Sequence, residues 1–249
     1  MKNSSNICSA HQPAFLPWCG YVHKLMVSDV FVFMDLAKFR KRSFMHRNMI
    51  EINSLEHFLG LRLSKSSDLL DCNDVEINKT DISCIPDIVK KIEHTYKRSP
   101  FKNDLDDFIN FSLVIFREQG LVNLCMRQLL YFKKKFNIQN IVLKESGLFT
   151  KKEITDLGAS NRLLNHALRT KSEVYLTGIN SKDYLDKKIF KKSDIKHVVL
   201  NFDYSYFQEY QESAKPLSIV HQIAIMGFEK INFILKKKQI SKEDILNHD

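Results

Sequence analysis

The chain has 249 residues, 44% of them hydrophobic, which suffices for one large domain core, and only 7 glycines and 5 prolines, which excludes collagen-like or linker-dominated architectures. A formal net charge of +9 points to an acidic or phosphorylated partner without saying which. The 5 cysteines include no CxxC pair and argue against a disulfide framework or a zinc site, and with no signal-peptide pattern and no long apolar run we expect a cytoplasmic protein that does not insert into a membrane.

Residues 6–10 are short and apolar and read as a first buried strand ending at His11. Pro13 and Pro17 hold the next segment extended, because each biases its predecessor away from the helical region. A helix is expected from about Pro17 through Tyr21, Lys24 and Val27, stopping at Ser28 and Asp29. Residues 30–34 then form a continuous apolar strand ending at Asp35, which completes a parallel βαβ pattern. Residues 37–50 form a basic loop, 58–63 another strand, and 64–84 mostly loop with a short strand near 75–77. From residue 85 to about 138 apolar side chains recur at helical spacing, predicting helices over 87–97, 104–118 and 121–136, punctuated by Ser99, Pro100 and Gly120. Alternation resumes with strands at 141–143, 173–177 and 197–201, helices over about 158–169 and from about 181, helical residues 217–238, and a polar tail of ten residues. The whole reads as one α/β domain over 1–249, an open, mostly parallel sheet with a helical lobe at about 85–138. Its outline resembles nucleotidyltransferase-like (Rossmann-like) layouts.

Candidate chemistry gathers at the carboxyl edge of that sheet, where open α/β folds bind ligands. His11 at the end of the first strand is a candidate general base or phosphate contact, beside the reading as a loop-bonded structural histidine. Gln12 offers an amide donor and acceptor to a carbonyl substrate, and Trp18 is a candidate pocket wall or core residue. Tyr21 and Lys24 share one helix face and would hold a phosphate or sugar if that face meets the cleft. Cys19 beside His11 or His23 is a weaker nucleophile candidate. Asp35 is placed to orient a substrate amine or to pair with Arg42 or Arg47. The basic loop, with Arg42, Ser43, Arg47 and Asn48, is the best anion site in the chain unless it is a solvated charge run. The turn carrying Gly178, Ser181, Lys182 and Tyr184 lies between strand and helix, where Ser181 is a candidate N-cap with amides open to an anion. Nine histidines without ligand spacing predict no metal.

The run His11-Gln12-Pro13-Ala14-Phe15-Leu16-Pro17-Trp18-Cys19-Gly20-Tyr21-Val22-His23-Lys24 resembles the WbqC-like protein family. So do the segments at 29–35, 41–48, 98–100, 175–185 and 217–219, so the resemblance spans nearly the whole chain. Gly178-Ile179-Asn180-Ser181 stands where that family tends to have Gly-Pro-Ser-Gly, and Met45-His46 falls in its Ser-Trp-Gln-Asn-like position. The resemblance implies a role in O-antigen or surface-polysaccharide biosynthesis, namely transfer of glycine or another amino acid to a nucleotide-linked amino sugar. The donor would be a carrier-protein phosphopantetheine thioester or an aminoacyl-tRNA, both acidic partners, with no tightly bound cofactor. Two other readings stay open: an ATP-dependent amide ligase or nucleotidyltransferase-like enzyme, and a non-catalytic binding module.

Overall fold

The computed structural model describes residues 6–63, 84–115 and 120–247. The apolar run after Asn6 forms β1 (Ile7–His11), and the two prolines keep the chain extended as far as Trp18, the N-cap of α1 (Cys19–Val27). That helix ends where the Ser28 hydroxyl donates to the Lys24 carbonyl, and β2 (Val30–Phe33) follows. β1 and β2 pair in parallel from Cys8↔Val30 to His11↔Phe33, so the expected βαβ unit forms.

The basic segment ends sooner than expected. It runs at Arg47 into β3 (Arg47–Ile52), which pairs antiparallel with β4 (Leu55–Gly60) as a separate two-stranded sheet. Asn53 and Ser54 both take positive φ, 50° and 63°, the two left-handed residues that a tight hairpin of native twist requires. The strand expected at 58–63 therefore begins and ends earlier and lies outside the main sheet. The short strand expected near 75–77 lies outside the described residues.

α2 (Cys84–Thr95), α3 (Lys102–Ile115) and α4 (Leu121–Lys135) follow the helical periodicity of this stretch. Next come β5 (Ile141–Lys144), a 3-10 turn at Glu145–Gly147, α5 (Lys151–Asp156) and α6 (Ala159–Arg169). Apolar spacing does not predict α5. Its signal is the capping box of Thr150 and Glu153, in which Glu153 N–H donates to the Thr150 hydroxyl (3.2 Å) and Thr150 N–H to the Glu153 carboxylate (2.7 Å). β6 (Val174–Gly178), α7 (Lys187–Lys192) and β7 (Lys196–Leu200) complete the sheet.

Beyond β7 lie α8 (Ser205–Gln208), α9 (Ile219–Lys237) and α10 (Lys242–Asn247). The last corrects the expected polar tail. Ser241 and Asp244 bond reciprocally at its start, and Ile245 is buried against Ile7, Val174, Leu176, Val198 and Leu200. α9 kinks at Gly227 (φ 70°, ψ 168°), a conformation essentially restricted to glycine. At the kink Phe228 N–H donates to Asp104 of α3 (2.8 Å) and the Ala224 carbonyl accepts from Ser99 (2.6 Å). The lobe therefore supplies the bonds that the kink breaks, and α3 is held on α9.

The main sheet has the order β5-β2-β1-β6-β7 with every pair parallel. Right-handed crossovers that run in opposite directions across the sheet, from β1 to β2 through α1 and from β5 to β6 through α6, put these two helices on opposite faces. The pleat agrees: Ser9 bonds Ser28 at the end of α1 (2.6 Å), whereas Cys8 lies against Thr170 at the end of α6. α4 and α9 pack on α1, and α7 packs beside α6 on β7.

Candidate active site at the carboxyl edge of the sheet

Chain direction across the sheet reverses between β1 and β6, and such switch points open a crevice beyond the strand ends. Here the crevice has a structural origin. Pairing of β1 with β2 continues to His11↔Phe33, but pairing of β1 with β6 stops at Ser9↔Leu176. The His11 carbonyl accepts from Met34 N–H on the β2 side, so by the alternation of a strand the Ala10 carbonyl faces β6. Lys24 takes that carbonyl, its ammonium donating at 2.7 Å from a side chain that is only 8% exposed. Burial pushes its pKa down to about 8. No carboxylate bonds it among the described residues.

His11 lies at this opening, partly exposed, with Nδ1 2.8 Å from the Gln12 carbonyl. A carbonyl only accepts, so Nδ1 carries the proton and Nε2 presents a lone pair. Burial, and after it the Lys24 charge, push the His11 pKa down to about 4, which leaves the ring neutral at pH 7. Trp18 and Tyr21 meet the ring edge-on at 5.5 and 4.8 Å, and Phe44 of the basic loop packs on Trp18 at 5.4 Å. Tyr21 is buried beneath the histidine, whereas Trp18 is partly exposed. The Gln12 side chain is partly exposed and has no hydrogen-bond partner among the described residues. Gly20 lets the chain after β7 come close, since a Cβ there would stand 2.6 Å from the Tyr204 hydroxyl. Cys19 is buried, and burial pushes its thiol well above the ordinary value, which disfavours the thiolate.

The segment between His11 and α1 is pinned from several sides. The Leu16 carbonyl accepts from Asn48 (2.6 Å) and Ser218 (3.0 Å), and Leu16 N–H donates to Gln128 (2.9 Å). Phe15 N–H donates to the Phe44 carbonyl and Ile219 N–H to the Pro17 carbonyl. Asn48 is therefore a buried brace of the loop rather than a surface group. Gln128 and Ser218 share that task, and nothing local in the sequence marks them.

The other sequence candidates divide. Arg42 is exposed at φ 61°, and its carbonyl accepts from Arg47, whose guanidinium stacks 4.2 Å over Phe58. The Ser43 hydroxyl donates to the Arg40 carbonyl. Asp35 does not reach Arg42 or Arg47. It is buried and accepts from Ser146 N–H (2.9 Å) and the Ser146 hydroxyl (2.6 Å), joining the ends of β2 and β5. Gly178 ends β6 beside the crevice, but Ser181 caps no helix. It sits inside a 3-10 turn and donates to Thr177 (2.7 Å), which bonds His197 (2.8 Å). Asp186 caps α7 instead, accepting from Lys188 N–H at 2.9 Å. Lys182 and Tyr184 are exposed on the same turn.

A second cluster, which no sequence motif marks, stands at the end of β5. Glu145 is fully buried and accepts from Nε2 of His166 (2.8 Å) and from Nε of Arg162 (2.7 Å), with Arg162 Nη2 on its other oxygen. His166 Nδ1 accepts from the Tyr175 hydroxyl (3.2 Å). Burial alone would raise the Glu145 pKa, but its bonds to His166 and Arg162 hold it below the usual value, and burial lowers that of His166. The recoverable signal is Arg162 and His166, four residues apart on one face of α6.

No helix among the described residues is long and apolar enough to cross a membrane. No curated protein and no solved structure matches the chain. Residues 12–233, nearly everything from the His11 motif to the end of α9, match the model of the WbqC-like protein family, and the chain belongs to that family.

Proposed function

We propose that this protein is an N-aminoacyltransferase that moves glycine or another amino acid from an activated donor to the amino group of a nucleotide-linked amino sugar. The observation that carries the reading is His11, neutral, held in one tautomer, with Nε2 open at the switch point. The sugar amine attacks the acyl carbonyl, and the nitrogen of the resulting adduct, now strongly acidic, gives its proton to Nε2. The weak basicity of His11 suffices for that proton, and its conjugate acid readily returns the proton to the departing thiolate or alkoxide as the carbon–sulfur or carbon–oxygen bond breaks. The Lys24 ammonium beneath the opening and the Gln12 amide are the nearby donors for the oxyanion. Trp18 and Phe44 supply an apolar wall.

Mass spectrometry of a nucleotide-amino-sugar panel incubated with glycyl donors tests this. A product heavier by one glycyl unit is expected, and its absence with every donor and sugar would remove the proposal. The strand order favours one rival, an ATP-using amide ligase with nucleotide at the switch point. Product formation from free glycine and ATP alone would favour that rival.

A further inference from the structure

Arg40 and Arg42 are exposed, and neither side chain makes an ion pair among the described residues. The turn that carries them is fixed. Ser43 N–H and the Ser43 hydroxyl both donate to the Arg40 carbonyl (3.3 and 2.6 Å), and the Arg42 carbonyl accepts from Arg47 (2.9 Å). Arg47 opens β3, and its guanidinium lies 4.2 Å over the ring of Phe58, which β4 brings up opposite Met49. Phe58 is 47% exposed and Phe44 is 39% exposed, so guanidinium groups and open rings alternate on this rim. Phe44 packs on Trp18 and Trp18 on His11, so the rim leads to the candidate active site through a single ring. Charge is divided along the hairpin. Its carboxylates, Glu51 and Glu56, stand opposite each other near the turn and are taken up by the Glu212 and Ser213 amides and by Lys215. The arginines stand at the other end, beside the His11 segment.

We infer that this rim docks the unpaired 3′ end of an aminoacyl-tRNA, which makes the activated donor an aminoacyl ester of RNA. The inference rests on the aminoacyl-transfer reading for the acyl group, while the RNA-binding face itself stands on the rim. An unpaired strand offers a phosphate and a flat π face at every nucleotide, and the rim answers with arginine forks for the one and phenyl rings for the other. An acidic protein helix would meet the same charge but has no flat faces to stack on Phe44 and Phe58. The run 40–47 alone shows only the cations and Phe44. The second open ring comes from β4, so the interleaving of charge and aromatic surface that marks nucleic-acid binding exists only in the fold.

Fluorescence polarisation with a labelled RNA hairpin carrying an unpaired 3′ tail, read over a salt series, tests it beside the same hairpin made blunt. The parent should bind the tailed hairpin the more tightly. Arg40→Gln/Arg42→Gln should lose about tenfold or more in affinity and flatten the slope of log affinity against log salt by about 1. Phe58→Ala should lose about fivefold or more through stacking, with the salt slope unchanged. A Lys191→Gln/Lys192→Gln control, which removes two exposed charges on α7, should bind as the parent does. No binding by the parent, equal affinity for tailed and blunt hairpins, or parent-like affinity in the Arg40/Arg42 variant overturns the inference. Glycyl transfer from a carrier-protein thioester without RNA binding overturns it too, and leaves the transferase reading standing. RNA binding as expected with no aminoacylated product from any donor overturns the transferase reading and leaves the RNA-binding face standing.

Discussion

Two polar clusters sit two strands apart on one sheet edge and are built in opposite ways. Around Glu145 every polar atom of the carboxylate and of His166 has a partner, and the group is closed. At the β1/β6 opening, Lys24 has one carbonyl and His11 Nε2 has no partner among the described residues. Buried polar groups are normally satisfied within the protein. The difference therefore separates a group whose hydrogen bonds are closed within the protein from one whose hydrogen-bonding capacity is left open.

The largest expected effect breaks the open cluster. His11→Ala should cut turnover by about 10²–10⁴-fold while the protein stays folded, as read by steady-state rates beside circular dichroism. Near-parent rates would remove His11 from the mechanism. In the parent, kcat/KM corrected for the titration of the free substrate amine should hold down to about pH 5 and fall with a midpoint near 4, the value to which burial pushes His11. A midpoint at the ordinary histidine value would contradict the neutral, buried ring.

Breaking the closed cluster should act on stability instead. Arg162→Met leaves the Glu145 carboxylate buried with an uncompensated charge, and urea unfolding should show a loss of about 3–5 kcal/mol. Loss of less than about 1 kcal/mol would mean that the cluster is not the closed network described.

Lys24 sharpens the contrast through pH. Its folded pKa of about 8 lies below the unfolded value, so between pH 8 and 10.5 this lysine taken alone makes stability rise with pH, against the opposing effect of the buried Cys8 and Cys19 thiols, whose pKa burial raises. The gain is on the order of 3 kcal/mol across that window. Lys24→Met should remove that contribution, so in denaturation curves at a series of pH values the stability difference between parent and variant should shift in the parent's favour across the window, whereas a constant difference would contradict the lowered lysine pKa. The smallest effect belongs to Ser146→Ala, which removes one of the two Ser146 bonds to Asp35. It should cost about 1 kcal/mol and leave turnover unchanged, whereas a large rate loss would return Asp35 to the chemistry.

Much of the edge was legible in the chain. The strand before His11, the prolines after it and the helix carrying Tyr21 and Lys24 are short-range patterns, and all three form as expected. Asn48 and Ser181 were legible as polar residues near the edge but not in direction. Asn48 turns inward to Leu16, 32 positions away, and Ser181 turns back to Thr177. The capping pairs Thr150/Glu153 and Ser241/Asp244 were present as signals, yet apolar spacing is too weak in six-residue helices to draw attention to them.

By itself the sequence determined the alternation of strand and helix, the basic character of the chain and its family, because propensity, periodicity and capping act within about ten residues. Only the tertiary structure decided which groups share a site. Strand order brings Glu145 within two strands of His11, helix packing closes Arg162 on Glu145 across 17 positions and Gln128 on Leu16 across 112, and the β1/β6 ladder opens at Ala10 so that a buried lysine from α1 completes it. Those contacts depend on how non-adjacent segments are laid side by side, which no local pattern encodes.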